Sequence, residues 1–109
     1  MKKIIRSGDV NLIEVEKVPE GAKKVKHNGN FVMAKGEATG SVHALVGTKV
    51  NDFEVSELNG ERFFEIFAPS KATHSHDHET INVLPGVYKQ VPEREVDHFA
   101  ESIERKVID

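Results

Sequence analysis

The chain contains no cysteine and no tryptophan, and only one tyrosine. Without thiols it forms no disulfide, no thiolate nucleophile and no cysteine-bound zinc or iron–sulfur centre. A long apolar run is also missing: nothing approaches the roughly 20 residues of a membrane-spanning helix. The charged N-terminus is followed by neither an apolar core nor a cleavage site, so no secretory leader is expected. The chain has no basic surplus either. Its net charge of −3 lacks the cationic excess on which sequence-independent nucleic-acid affinity rests. The local clusters Lys2, Lys3, Arg6 and Lys23, Lys24, Lys26 read as a solvated terminus and a solvated strand flank. These absences point away from membrane and nucleic-acid partners and toward residence in the cytoplasm, or in a larger particle made there.

What is present suits one small globular domain. A chain of 109 residues buries roughly 65% of its unfolded surface and needs no metal or disulfide to fold. Six phenylalanines supply most of the bulk in a composition 38% hydrophobic and 30% charged. The expected organisation is a single domain over 1–109, with a β core over 1–96 and a helical segment over 97–109.

The pattern of apolar residues is mostly that of strands. Ile4 and Ile5 suit a short first strand. Val10 to Val18 carries apolar residues on both faces and suits a strand covered on both sides for part of its length. Asn28-Gly29, between Val25–His27 and Phe31–Ala34, and Asn59-Gly60, between Phe53–Leu58 and Arg62–Phe67, each predict a tight hairpin, because a type I′ turn needs positive φ at both central residues. Val42, Ala44 and Val46 alternate with polar or small neighbours, the mark of a half-buried strand. Ile81–Leu84 and Val87–Val91 flank the turn Pro85-Gly86, and Pro92 predicts an edge or a bulge for the last strand. The period then changes: Val96, Phe99, Ala100, Ile103 and Val107 recur at helical spacing, Asp97 is placed to cap, and Arg105 and Lys106 suit the last turn. The stripe either packs on the sheet or forms an arm for a neighbouring subunit, with Val96, Phe99, Ile103 and Val107 as the interface. Strands at short spacing predict a mainly β fold, a small β-sandwich or β-barrel built of antiparallel hairpins with a short C-terminal helix.

The residues most suited to chemistry form the run Thr73-His74-Ser75-His76-Asp77-His78-Glu79. Alternate histidines on a strand share a face and stand about 6.6 Å apart, so two can converge on one metal ion. His74 and His78, about 13 Å apart along a straight strand, would need a bend. Glu79, Asp77, His43 and His98 are candidates to complete a site. Imidazole with carboxylate suits a divalent transition metal such as zinc, iron, copper or nickel. The order His74-x-His76, Glu79, Gly86 resembles the first metal motif of cupin barrels, although the gap before Glu79 is shorter and His98 falls in the predicted helix. Exposed histidine clusters also bind nickel and zinc adventitiously, and histidines beside acidic residues can serve as a pH switch. Other arrangements are poorer. Ser41 and His43 lack a third orienting group, Glu93, Arg94 and Glu95 read as a surface ion-pair patch, and Gly36-x-x-x-Gly40 lacks the residues that continue a phosphate loop.

Arg6-Ser-Gly-Asp-Val10, Gly36-Glu-Ala-Thr-Gly40-Ser-Val-His43, Leu84-Pro-Gly-Val-Tyr88 and Glu93-Arg-Glu95 occur in that order. This set resembles a family of short, largely uncharacterised proteins encoded by bacteriophages, prophages and some bacteria, whose central element reads Gly-Glu-x-Thr-Gly-His-x-His. Ser41 replaces the first histidine of that element, and Glu93 and Val96 replace the Gln and Tyr of a Gln-Arg-Glu-Tyr element near the end of the family's chain. The resemblance implies a phage or prophage context and supplies no activity. The expectation is a non-enzymatic accessory or structural protein that self-associates or decorates a larger particle, in the host cytoplasm or the virion. The alternative is a cupin-like metal-binding protein using His74, His76, His78 and Glu79 with His43.

Overall fold

The computed structural model describes residues 3–7, 10–35, 42–74 and 79–91. Ten strands occur among them: β1 (Ile4–Ser7), β2 (Val10–Val15), β3 (Lys23–Val25), β4 (Asn30–Lys35), β5 (Val42–Val46), β6 (Phe53–Leu58), β7 (Glu61–Ile66), β8 (Ser70–His74), β9 (Glu79–Val83) and β10 (Gly86–Val91). They form two antiparallel sheets packed as a sandwich, six-stranded in the order β1-β2-β10-β7-β6-β3 and four-stranded in the order β4-β5-β8-β9. Alternation puts one face of each sheet inward. Val10, Leu12, Phe53, Val55, Phe64, Ile66 and Tyr88 from the larger sheet meet Met33, Leu45, Ala72 and Val83 from the smaller.

The registers give the sandwich two unlike ends. The four hairpin pairs, β1–β2, β4–β5, β6–β7 and β8–β9, all turn at one end, where Ser7 faces Val10, Lys35 faces Val42, Leu58 faces Glu61 and His74 faces Glu79. The four links that carry the chain between sheets, β3 to β4, β5 to β6, β7 to β8 and β9 to β10, all lie at the other. We call these the hairpin end and the crossing end.

The expected strands are largely present, with four differences of physical interest. Asn59-Gly60 forms its hairpin with φ of 51° and 80°, as a type I′ turn requires. Asn28-Gly29 does not: β3 and β4 belong to different sheets. Only Gly29 takes positive φ, while Asn28 Oδ1 accepts from the Asn30 N–H in a local turn. His27 fixes the bend, since its ring stacks on Phe53 at 4.1 Å, its Nδ1 accepts from the Gly29 N–H and its Nε2–H donates to the Phe53 carbonyl. Second, β5 turns His43 and Leu45 toward the opposite sheet, and Ala44, itself buried, lies on its other face. Third, the polar stretch after Pro69 forms the regular strand β8. Fourth, β10 is no edge strand; it sits between β2 and β7 and ends at Val91, one residue before the proline. The predicted helix over 97–107, with Val96, Phe99, Ile103 and Val107, lies outside the described residues.

Two polar devices join the sheets. A bulge between Val32 and Ala34 leaves Met33 out of register with β5. Its carbonyl accepts from Arg62 Nη1 at 2.9 Å and from Gln90 Nε2 at 3.2 Å, both from the opposite sheet. Arg62 also donates to Gln90 Oε1 and lies 4.9 Å above the Phe31 ring. At the crossing end the Asp52 carboxylate accepts from the Thr48 and Lys49 N–H groups, and its carbonyl accepts from those of Phe67 and Ala68. One residue thus ties the β5–β6 link to the β7–β8 link.

Candidate functional site

The hairpin end of the four-stranded sheet gathers the chemistry read from the sequence. His43 is two residues before Leu45 on β5, and His74 two after Ala72 on β8, so strand alternation turns both imidazoles to the inner face. They stand opposite each other in register. Their rings stack at 4.0 Å with 5° between planes. His43 is buried at 1% exposure and His74 is half-buried. Glu79 occupies the next position of the same row, facing His74 from β9. Three of the five proposed ligands therefore meet in one cross-sheet row, although His43 lies far from the histidine run in sequence.

His76 and His78, with Asp77, fall outside the described residues, as do Ser41, the Glu93-Arg94-Glu95 patch and His98. Gly86, the last member of the cupin-like order, begins β10 at the crossing end, separated from His74 by the length of β9. Among the described residues no group of three or more His, Asp or Glu side chains is arranged to hold a metal ion.

The stacked pair has a definite chemistry. Imidazole lone pairs lie in the ring plane, and a metal sits about 2.0–2.1 Å from each nitrogen in that plane. Two near-parallel planes do not converge on one ion. A shared metal therefore requires one ring to turn. As they stand, the rings act as an apolar-faced pair that closes the end of the core.

The crossing end is different in kind. Val50, Phe67 and Leu84 are each about half exposed, at 51%, 51% and 50%. Phe67 and Leu84 belong to the adjacent links β7–β8 and β9–β10, and the Phe67 N–H reaches the Asp52 carbonyl two residues beyond Val50. Val50 also rims a shallow concavity of about 290 Å³ walled by Val25, His27 and Phe53, with Lys24 and Lys26 at its margin. Nothing in the local sequence marked these residues, because their grouping depends on every crossing lying at one end.

Tyr88 closes the same end from within. It is fully buried, and its hydroxyl donates to the Leu84 carbonyl at 2.8 Å, four residues back. This joins the start of β10 to its own approach, in the manner of the tyrosine corner of immunoglobulin-type sandwiches. Burial raises the phenol's pKa above its ordinary value, and the Glu14 carboxylate adds to the effect. Leu84-Pro-Gly-Val-Tyr88 was the sequence signal for this corner.

No curated protein and no solved structure matches the chain. Its sequence over residues 6–92, from the first strand through the histidine run to the end of β10, matches the family described as a domain of unknown function, DUF8820, and the chain belongs to that family.

Proposed function

We propose that the protein is a non-enzymatic β-sandwich that self-associates through its crossing end, as an accessory or structural component of a larger assembly. The observation that carries this reading is the grouping of Val50, Phe67 and Leu84, three large apolar side chains about half exposed at one end of the sandwich. Singly exposed apolar residues are ordinary, whereas a grouped set marks a contact surface. The adjoining concavity walled by Val25 and Phe53 gives a second copy's side chain a place to enter. The phage context remains an implication of the sequence resemblance and enters only as the setting to test first.

Tag-free protein is measured by native mass spectrometry and by light scattering across a concentration series. Self-association is expected, and Phe67→Lys with Leu84→Lys is expected to return it to monomer with an unchanged circular dichroism spectrum. A concentration-independent monomer in the unmodified chain refutes the reading.

A second reading, binding of a divalent transition metal, is supported by the register that sets His43 opposite His74 and His74 opposite Glu79. His76 and His78 are the further candidate ligands, and zinc, iron or nickel the candidate ions. The same spectra test it. One equivalent of zinc or nickel that survives mild chelation, and is lost in His43→Ala and in His74→Ala, supports it. Loss only in the His76→Ala, His78→Ala pair, with His43→Ala unaffected, assigns the ion to residues 75–78 and removes the cross-sheet row from the site.

A further inference from the structure

β3 ends the larger sheet. It pairs with β6 alone, and among the described residues no strand lies beyond it. The phase of its backbone can be counted from the Asn59-Gly60 turn. A two-residue hairpin makes its flanking pair, Leu58 and Glu61, exchange hydrogen bonds. Counting back in twos, Leu58, Ser56 and Glu54 aim their N–H and C=O groups at β7, and Glu57, Val55 and Phe53 aim theirs at β3. The His27 ring accords with this, since it meets the Phe53 carbonyl from the β3 side. Lys23 and Val25, opposite Glu57 and Val55, therefore bond to β6. Lys24, between them, turns its N–H and C=O to the open edge.

The side chains along this edge alternate in kind. Lys24 and Lys26 take the outer face, where Lys24 Nζ meets Glu54 Oε1 at 3.3 Å. Val25 and His27 take the inner one, Val25 packed against the core and His27 stacked on Phe53. Lys23, Lys24 and Lys26 are all exposed. Against them stand Glu54 and Glu57 of β6, and Arg62 already engages Glu57 at 3.4 Å. The edge is thus cationic in a chain whose net charge is −3. Two concavities flank it. One, of about 290 Å³, lies beside Val25 and Phe53, and the other, of about 520 Å³, lies between Lys23 and the Asn59-Gly60 turn; Lys24 and Val25 border both.

We propose that the open edge of β3 is a docking site for an extended acidic segment of a partner protein. The segment adds to the six-stranded sheet as a further strand. It turns carboxylates toward Lys24 and Lys26 and, at alternate positions, apolar side chains toward Val25 and Phe53. Main-chain bonds to Lys24 hold the segment, and the alternating side chains select it, as in other cases of strand addition. Lysines on an edge strand also serve simply to repel further strands. That task needs charge alone, whereas this edge joins its charge to an outward N–H and C=O and to apolar-walled seats on both sides. A second copy's β3 is a poor occupant, because it sets lysine opposite lysine. Residues 23–27 span about 16 Å when extended, so a segment of similar length fills the edge.

The probe is a capped, fluorescently labelled peptide of about seven residues in which Glu and Val alternate. It is titrated into dilute protein at low ionic strength and followed by anisotropy. Saturable binding is expected, weakened by salt and weakened roughly tenfold or more by Lys24→Glu with Lys26→Glu. The same peptide with Lys in place of Glu is expected not to bind. Lys24→Ala removes the charge alone, and Lys24→Pro also removes the outward N–H, a change an edge strand tolerates. Lys24→Pro is expected to bind more weakly than Lys24→Ala. Should Lys24→Pro fail to fold, the peptide carries the test: N-methylation of one set of alternate amides is expected to abolish binding, and of the other set to spare it. Equal binding by the two N-methylated peptides, or equal affinity of Lys24→Ala and Lys24→Pro, means contact by charge alone and overturns the proposal. Absence of saturable binding overturns it too and leaves the lysines as guards of the edge. Phe67 and Leu84 are untouched in these variants, so a failure of peptide binding with self-association intact in light scattering counts against the β3 edge and not against the crossing end.

Discussion

Tyr88→Phe removes one buried oxygen atom from the crossing end of the core. The ring, fully buried among Leu12, Phe64 and their neighbours, keeps its packing. The lost interaction is the 2.8 Å hydrogen bond to the Leu84 carbonyl. A buried hydrogen bond of this kind contributes about 1 kcal/mol net, and somewhat more when its acceptor cannot be rehydrated. Leu84 is half exposed, so water has access to that region and the lower figure applies. In a domain of this size about 1 kcal/mol lowers the melting temperature by roughly 4–6 °C.

The phenol also sets an alkaline limit. Its pKa in the folded protein is raised above 10.0, by desolvation first and the Glu14 carboxylate second. Below the ordinary value both folded and unfolded chains hold the proton, and the group adds no pH dependence. Above it the unfolded chain releases the proton first, so stability falls as pH rises toward the folded value. Urea denaturation of wild type and Tyr88→Phe, near neutrality and again just above pH 10.0, separates this effect from lysine titration, which both proteins share. The gap between them is expected to narrow at the higher pH. Tyrosinate absorbance provides an independent check, because no other tyrosine and no tryptophan contributes. A phenol that titrates at its ordinary value in the folded protein, or a Tyr88→Phe variant as stable as wild type near neutrality, refutes the reasoning.

Arg62→Ala deletes the donor that reaches Met33 across the core and uncovers Phe31, and is expected to lower the stability measured in urea by about 2 kcal/mol. Arg62→Lys should recover only part of it, since an ammonium cannot fork and stack at once; full recovery contradicts the geometry. Asp52→Ala leaves the Thr48 and Lys49 N–H groups without their acceptor and should cost about 1 kcal/mol by calorimetry, with Asp52→Asn closer to wild type. His27→Phe keeps a ring on Phe53 but loses the bonds to the Gly29 N–H and the Phe53 carbonyl. A loss of about 1–2 kcal/mol in chemical denaturation is expected, and none at all would mean that stacking alone fixes the bend.

Much of the architecture was legible because strand alternation and turn chemistry are local. Asn59-Gly60 met the demand for two positive φ values with its own side chains and folded as read. Asn28-Gly29 is the same dipeptide with a different outcome, because His27 engages Phe53 and Gly29 and commits the chain to the other sheet. The inner face of β5 was not legible: Val42, Ala44 and Val46 look like its buried side, yet Leu45 and His43 find the deeper contacts. Pro92 misled for a related reason, since a proline beyond the last ladder bond places no restriction on where its strand lies. Of the candidate site, the histidine run was visible at once. The pairing of His74 with His43 was not, because it is set by the β5–β8 register. The crossing-end residues had no local signature at all, since what groups them is topology.

The position of β10 bears on how the chain is made. The last of the described strands lies between β2 and β7 and bonds to both. Until it arrives, the β1–β2 and β6–β7 hairpins have no partner in common, and the larger sheet exists only as two fragments with open edges. Unpaired edges are the surfaces through which partly made β proteins aggregate. A ribosome that has just released residue 85 has therefore exported nearly all of the future core without the strand that closes it. For this fold, completion comes late and at once, and any stall before Gly86 leaves a nascent chain that chaperones have to hold.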